Sequence, residues 1–206
     1  MQRKRVGILI FDDVEVLDFC GPFEVFSVTR LDEARRREDP SPFEVCLIAE
    51  STRTVVASGG LKVQPDFSID TAPPLDVLVV PGGWGTRREI KNETLLGWIK
   101  VRGSQVKTLA SVCTGAMLLG HAGLLDGRHA TTHWRSLDWM RESFPRVTVD
   151  EQQHVVTDGN VVTSAGISAG IDMALRVVTR YFGEPIGLAT ARQMEYPYPD
   201  DNRRRV

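Results

Sequence analysis

Four runs of apolar residues recur along the chain, and a turn signal or a helical pattern follows each of them. The runs are residues 6–11 (VGILIF), 43–50 (FEVCLIAE), 77–83 (VLVVPGG) and 108–112 (TLASV). Strands that are apolar throughout, rather than alternating between apolar and polar positions, are typical of a parallel sheet covered by helices on both faces. The runs therefore predict the strands of such a sheet.

Helical patterns separate these strands, and a longer one follows them. Two of these patterns lie between strands, at residues 21–36 and 86–103, and a third follows the fourth strand directly, at residues 114–123. The last helix is predicted to begin near Ser168 and to stop at Gly183, with Ile171, Leu175, Val178 and Phe182 on one face. The alternation of strands and helices predicts an α/β fold with three layers and a doubly wound, mostly parallel, flavodoxin-like sheet.

Two stretches interrupt this order and are typical of β-hairpins. Residues 53–70 have Gly59 and Gly60 at the predicted turn, and residues 147–165 have Asp158 and Gly159 there. We expect both hairpins to be small insertions on the main sheet.

The composition predicts one soluble domain over residues 1–206. Of these residues, 42% are hydrophobic and 25% are charged, and no segment approaches the run of about 18 apolar residues that a membrane span needs. The apolar run after the basic N-terminus stops at Asp12, which is too early for a signal peptide. The three cysteines are too few and too widely spaced for a disulfide framework or a Cys-x-x-Cys site, so we expect a reducing, cytoplasmic setting.

Charge gives no reason to expect a nucleic-acid partner. The formal net charge is −2, and the basic clusters at residues 35–37 and 203–205 lie beside acidic residues. We therefore expect a small molecule as the partner, and neither nucleic acid nor membrane.

Cys113 stands where the strand of residues 108–112 ends and a helix begins. In open α/β sheets, ligands bind beyond the carboxyl ends of the strands. A sharp strand-to-helix turn projects its residue over the sheet, and a helix N-terminus favours thiolate, which predicts a nucleophile with a lowered pKa. The alternative is that Cys113 is a small core residue, the commoner fate of a free cysteine and the one predicted for Cys46.

Two other strand ends supply further candidates. The glycines of PGGWG (81–85) allow backbone amides to approach a ligand closely. Together with the Thr114 amide, they predict a pocket that stabilises developing negative charge. A plain turn explains the two glycines equally well. Asp18 and Glu24 are the candidate acids after the first strand; Gly21 and Pro22 are predicted to open the helix, with Glu24 in its first turn.

The four histidines do not form an obvious catalytic or metal site. His121 lies too far along the helix after Cys113 to serve it as a base. His129 and His133 have ligand-like spacing but lack a HExxH glutamate, so no metal is predicted. His133 is a candidate for the pocket lining, whereas His154 is predicted at the surface of a hairpin.

Several motifs together resemble the ThiJ/PfpI superfamily, whose fold is that of class I glutamine amidotransferases. They are LDFCGPFEVF (17–26), the PGG turn, ASVCTGA (110–116), ATTHW (130–134) and TSAGISAGIDMAL (163–175). The resemblance extends over nearly the whole chain, and within the superfamily it is most similar to the isocyanide hydratases. It implies an enzyme without metal or organic cofactor and a homodimer.

The resemblance also assigns roles to particular residues. It implies that Cys113 is the nucleophile, that Asp18 moves protons, and that Thr114 lies beside them. Gly83 and Trp84 belong to the PGGWG pocket, and Ile167 lies on a loop that closes over the cysteine. Cys20 stands where a threonine or another small residue is expected, so it is a possible second thiol near Asp18.

The expected reaction is the hydration of an isocyanide. Cys113 attacks the terminal carbon to give a thioimidate, and water directed by Asp18 releases an N-substituted formamide. Peptidase activity is not expected, because Thr114 replaces the histidine that follows the cysteine in peptidase-like relatives.

Two alternatives to isocyanide hydration stay open. One is a glyoxalase- or deglycase-like activity on 2-oxoaldehydes, and the other is a cysteine-based redox or ligand sensor without turnover. Few residues follow ARQMEY (191–196), so we expect no DNA-binding domain after it.

Overall fold

A seven-stranded, mostly parallel sheet forms the centre of the protein. The computed structural model describes residues 2–198 and 201–205. The strands are β1 (Lys4–Leu9), β2 (Phe43–Ala49), β3 (Val55–Val56), β4 (Lys62–Val63), β5 (Phe67–Ser68), β6 (Val77–Val80), β7 (Thr108–Val112), β8 (His129–Ala130), β9 (Thr148–Val149), β10 (Val155–Asp158) and β11 (Val161–Ser164). The main sheet has the order β10-β11-β7-β6-β1-β2-β5, and β10 alone among these strands runs antiparallel to its neighbour.

Helices cover both faces of this sheet. They are α1 (Val16–Val28), α2 (Thr86–Glu89), α3 (Glu93–Gln105), α4 (Gly115–His121), α5 (Leu137–Ser143), α6 (Ala169–Phe182) and α7 (Glu184–Gln193). Helix α1 packs with α6 and α7, and α3 packs with α4. On β7, Val112 faces Gly170 of α6 while Leu109 faces Gly103 of α3, so the two helix groups lie on opposite faces. The predicted three-layer α/β fold is confirmed.

The central strands are buried because helices leave no face of them open to water. Every residue of β6 and of β7 is buried, and the two strands pair in register from Val77 with Thr108 to Val80 with Ser111. Removing such continuous apolar runs from water is the main favourable contribution to folding. This burial explains why the strands are apolar throughout.

The two predicted hairpins have different outcomes. Strands β3 and β4 form the first as an antiparallel pair outside the main sheet, although β5 of the same stretch joins the sheet edge beside β2. The second hairpin also forms, from β10 and β11 with Gly159 at the turn. Its prediction as an insertion was wrong, because β11 pairs parallel with β7 and so belongs to the main sheet. Residues 155–164 are thus the edge of the main sheet, and β9 pairs with β8 instead.

Helix α1 begins at Val16, five residues before the predicted start. Glu15 N–H donates to Gly82 O at 3.0 Å, and Val14 forms an isolated bridge with Gly83. These long-range contacts orient the chain into the helix before Gly21 and Pro22, which lie within it. Local turn signals could not reveal contacts with residues almost 70 positions away.

The candidate site lies at the carboxyl ends of three neighbouring strands. From β1 the chain passes to β2 on one side of the sheet and later to β6 on the other, so the order reverses between β1 and β6. Such a switch point leaves a crevice between the diverging connections.

Among the described residues, the structure has no helix that is both long and apolar enough to cross a membrane.

Candidate active site

Cys113 occupies a sharp turn directly between β7 and α4. Its φ of 56° lies in the left-handed region, which is rare for residues other than glycine. Its N–H donates to the carbonyls of Ser164 and Ala165, each at 3.2 Å. Gly115 permits the turn, because a Cβ atom there would lie 2.0 Å from Val80 O. The loop after β11 and the end of β6 therefore hold the cysteine over the sheet.

The sulfur of Cys113 lies in a confined space. The residue is only 6% exposed. A Cβ atom on Gly166 would lie 2.9 Å from Sγ and 2.3 Å from Cδ2 of His133. Gly166 thus allows the imidazole and the thiol to approach the same segment of backbone.

Asp18 lies in the first turn of α1 and is completely buried. Its Oδ2 accepts a hydrogen bond of 2.9 Å from Gly82 N–H. Its Oδ1 has no hydrogen-bond partner within the described part of the chain. The Cys113 thiol is near enough that each of the two groups alters the pKa of the other.

Burial dominates the titration of both groups. Burial raises the pKa of Asp18 to about 8, while the Gly82 N–H opposes this rise and the charge of Glu15 adds to it. Burial also raises the pKa of the Cys113 thiol, and the Asp18 carboxylate raises it further. The predicted lowering of the cysteine pKa was therefore wrong, because desolvation outweighs the Thr114 N–H and hydroxyl. Below about pH 8 the Asp18 carboxyl therefore keeps its proton in most molecules, and the Cys113 thiol keeps its own.

Thr114 joins the cysteine turn to the PGGWG segment. Its Oγ1 accepts hydrogen bonds of 3.1 Å from Gly83 N–H and from the Thr86 hydroxyl. The Gly83 N–H thus already donates to Thr114, and the Gly82 N–H already donates to Asp18. Neither amide is free to bind a developing negative charge, which is the role predicted for the PGGWG segment. The Thr114 N–H and hydroxyl instead favour the thiolate, because both oppose the rise in the pKa of Cys113.

A cavity of about 360 Å³ opens above the sulfur. It is lined by Glu15, Gly83, Trp84, Arg87, Cys113, Thr114, His133, Trp134, Arg135, Ser136 and Ile167. Trp84 and Ile167 stand at its rim, 70% and 37% exposed. The cavity suits a small ligand with an apolar body, and its lining includes six of the residues named from the sequence.

His133 lies in this cavity in a state that suits a hydrogen-bond donor. Its Nδ1 accepts a hydrogen bond of 3.2 Å from Arg135 N–H. Burial, followed by the charges of Arg135, Arg204 and Arg87, lowers the pKa of His133. The ring is therefore neutral at neutral pH, and its hydrogen belongs on Nε2.

Other residues singled out in the sequence lie elsewhere. Cys20 is half-buried on α1 and packs against the core rather than lining the cavity, because it follows Asp18 by two positions and so faces another side of the helix. Glu24 is exposed in the middle of α1. Cys46 is buried in β2, as predicted. His121 packs its ring against Phe144, with the ring centroids 5.1 Å apart.

His154 was wrongly predicted at the surface. It is 5% exposed, and its Nε2 lies 3.1 Å from Oδ2 of Asp172 on α6. Burial follows from the placement of β10 at the sheet edge, where α6 covers it.

The sequence reasoning missed Arg87, Arg135 and Trp134, although each directly follows or nearly follows a residue that it named. Arg87 lies three positions after Trp84, and Trp134 and Arg135 follow His133. The short 3₁₀ segment Trp134–Ser136 brings both of its first residues to the cavity. Their adjacency to the predicted pocket residues was the one available signal.

Comparison with known proteins gives consistent relationships. Residues 4–180 match the sequence profile of the DJ-1/PfpI family. The chain is 34% identical over 193 residues to the isonitrile hydratase of Pseudomonas putida, across 93% of this chain and 78% of that protein. A crystal structure of a ThiJ/PfpI family protein from Pseudomonas syringae superposes with a TM-score of 0.84 and 30% identity, across 98% of this chain and 78% of that one.

A transcriptional regulator is similar to the same extent. The chain is 37% identical over 193 residues to the HTH-type transcriptional regulator GbdR of Pseudomonas aeruginosa. The alignment covers 94% of this chain and 51% of the regulator, so the chain spans about half of the regulator's length. Proteins described as an enzyme and as a regulator are thus both similar to this chain.

Proposed function

Since the chain belongs to the DJ-1/PfpI family, we propose that it is an isocyanide hydratase, an enzyme that adds water to R–N≡C and releases an N-substituted formamide. Isocyanide and isonitrile are two names for the same functional group, so the proposal agrees with the name of the Pseudomonas putida relative. The observation that carries it is the proximity of the Cys113 thiol to the buried Asp18 carboxyl beneath a partly apolar cavity.

The first step joins Cys113 to the substrate. The Asp18 carboxylate takes the thiol proton, and the sulfur attacks the terminal carbon of R–N≡C. A carbon–sulfur bond forms, and Asp18 returns the proton to that carbon, which leaves the thioimidate R–N=CH–S–Cys113. Because burial raises the pKa of Asp18 to about 8, the carboxyl is able both to take and to return a proton near neutral pH.

The second step adds water and releases the product. Asp18 takes a proton from water while the oxygen binds the thioimidate carbon, and Asp18 then passes this proton to the nitrogen to give R–NH–CH(OH)–S–Cys113. The carbon–sulfur bond then breaks, the hydroxyl proton returns through Asp18 to the sulfur, and R–NH–CHO leaves. His133 lines the same cavity and its Nδ1 accepts a hydrogen bond, which supports a role for the neutral Nε2–H as a hydrogen-bond donor to the substrate nitrogen at this stage.

Incubation of the purified protein with cyclohexyl isocyanide and with an aryl isocyanide tests the proposal. We expect the matching formamide to accumulate, and we expect none above background from the Cys113→Ala variant. Cys46→Ala is the matched control, because that thiol is buried in β2 away from the cavity. Equal rates for wild type and Cys113→Ala would overturn the proposal. Faster conversion of methylglyoxal to lactate than hydration of either isocyanide would favour the glyoxalase-like activity instead.

A cysteine-based redox or ligand sensor is the second candidate, and the similarity to the regulator GbdR favours it. A sensor would use the same cavity to hold a small molecule without converting it. Absence of turnover on isocyanides and on 2-oxoaldehydes, together with selective oxidation of Cys113 to the sulfinic acid in mass spectrometry, would favour this function.

A further inference from the structure

Two arginines at the mouth of the cavity have no part in the proposed chemistry. Arg87 and Arg135 line the same cavity as Cys113. The guanidinium carbon of Arg87 lies 4.3 Å from the ring centroid of Trp84 and 5.4 Å from that of Trp139. The guanidinium carbon of Arg135 lies 4.8 Å from the centroid of Trp134. Stacking on indole rings holds both side chains in place without using their N–H donors.

No carboxylate neutralises either guanidinium in residues 2–198 and 201–205. The neighbouring Arg88, in contrast, forms ion pairs with Asp13 and with Glu89. Glu15 also lines the cavity, but it forms no salt bridge there. The whole chain has a net charge of −2, so the positive charge at this mouth is a local feature.

The positive potential reaches the interior of the cavity. After the larger effect of burial, the charges of Arg135, Arg204 and Arg87 lower the pKa of His133. A group that lines the same cavity therefore experiences the arginines directly. A potential of this sign favours a ligand with negative charge.

We propose that Arg87 and Arg135 select a substrate that carries an anionic group, such as a carboxylate, on an apolar or aromatic body that also bears the isocyanide. The substrate class rests on the proposed function, while the selection for an anion does not. The indole rings of Trp84 and Trp134 contact the body, and the free N–H donors of the two guanidiniums bind the anion. The isocyanide carbon then lies deepest, at Cys113.

Turnover of two matched isocyanides tests the substrate class. We expect kcat/KM for 4-isocyanobenzoate to exceed that for its methyl ester by about tenfold at low ionic strength, mainly through KM. The double variant Arg87→Gln/Arg135→Gln is expected to lose this preference, so that its kcat/KM for the acid falls to about that for the ester. Arg180→Gln, which removes one positive charge at an exposed position on α6 away from the cavity, is the control for loss of charge elsewhere. Equal preference in the double variant and in wild type would overturn the proposal.

Alkylation of Cys113 tests the anion selection without any turnover. Iodoacetate and iodoacetamide have almost the same size and differ in charge. Mass spectrometry of the Cys113 peptide gives the rate constant of each reagent, and we take the ratio of iodoacetate to iodoacetamide. Dividing this ratio by the same ratio for glutathione measures how strongly the site attracts the anion.

We expect the double variant to lower this normalised ratio about tenfold, and about 0.5 M salt to lower it in wild type. We expect Arg180→Gln to leave it unchanged. An unchanged ratio in the double variant would overturn anion selection, whereas a lowered ratio in a protein that hydrates no isocyanide would overturn only the proposed function. Circular dichroism of the variants checks that they are folded.

Discussion

At the scale of single residues, the site depends on one buried carboxyl and one buried thiol. Asp18 accepts a hydrogen bond from Gly82 N–H and has its second oxygen without a partner in the described chain. Such an acid is costly to ionise, which makes it a poor structural residue and a useful proton donor. The sequence identified both residues, but it predicted a lowered thiol pKa, since exposure and desolvation are not visible in a local motif.

Replacing Asp18 with asparagine separates its proposed role in proton transfer from its effect on stability. Asparagine still accepts from Gly82 N–H but moves no proton, so we expect turnover to fall by about 10²- to 10⁴-fold. The ordinary pKa of this carboxyl is 3.8, and burial raises it to about 8. Between these values the unfolded chain loses the proton while the folded chain keeps it, so the carboxyl destabilises the fold progressively as pH rises and reaches its full effect above about pH 8.

Thermal unfolding from about pH 4 to about pH 8.5 measures this second effect. The difference in Tm between Asp18→Asn and wild type should increase in favour of the variant as pH rises. Glu24→Gln, on an exposed position of the same helix, is the control and should show no such trend. A difference in Tm that stays constant with pH would contradict the buried-acid account.

At the scale of elements, the turn from β7 to α4 determines where the sulfur lies. Three features act together: the left-handed φ of Cys113, the hydrogen bonds from its N–H to Ser164 O and Ala165 O, and the missing Cβ of Gly115 against Val80 O. The strand and helix on either side were predictable from their apolar patterns. The need for glycine at 115 was not, because the atom that excludes a side chain belongs to β6.

A pair of glycine substitutions tests this turn. In Gly115→Ala the new Cβ would meet Val80 O at 2.0 Å, so we expect a loss of about 2 to 4 kcal/mol in the free energy of unfolding and loss of turnover. In Gly97→Ala, inside α3, no atom lies within 4 Å of the new Cβ. We expect that variant to gain about 0.5 to 1 kcal/mol and to stay active. Urea unfolding of both variants measures these changes, and equal stabilities would rule out the proposed steric restriction.

At the scale of the whole molecule, residues 201–205 connect the far edge of the sheet to the site. Arg204 Nη1 donates to Thr132 O at 3.2 Å, and Arg204 Nε donates to Glu151 O at 2.8 Å. Thr132 in turn donates its hydroxyl hydrogen to Cys113 O at 2.8 Å. This segment thereby supports the loop that carries His133.

Removing the guanidinium of Arg204 should loosen that loop. We expect Arg204→Gln to lower the free energy of unfolding by about 1 to 2 kcal/mol and to reduce kcat/KM several-fold, because Thr132 no longer holds the backbone of Cys113 as firmly. Arg203→Gln is the matched control, since Arg203 is exposed and takes part in the edge bridge to Gln153 through its backbone. Equal effects of the two substitutions on Tm and on kcat/KM would contradict the role of the Arg204 guanidinium in supporting this loop.

The sequence by itself determined the order of strands and helices, the strand ends that supply chemistry, and the identity of the central cysteine. These features follow from local periodicity and from the rule that ligands bind beyond the carboxyl ends of parallel strands. Only the tertiary structure decided the start of α1, the place of β10 and β11 in the sheet, and the burial of His154. It also decided the direction of both pKa shifts and the presence of two unneutralised arginines. Pairing, desolvation and charge depend on residues that are distant in the chain and become neighbours only in the folded protein.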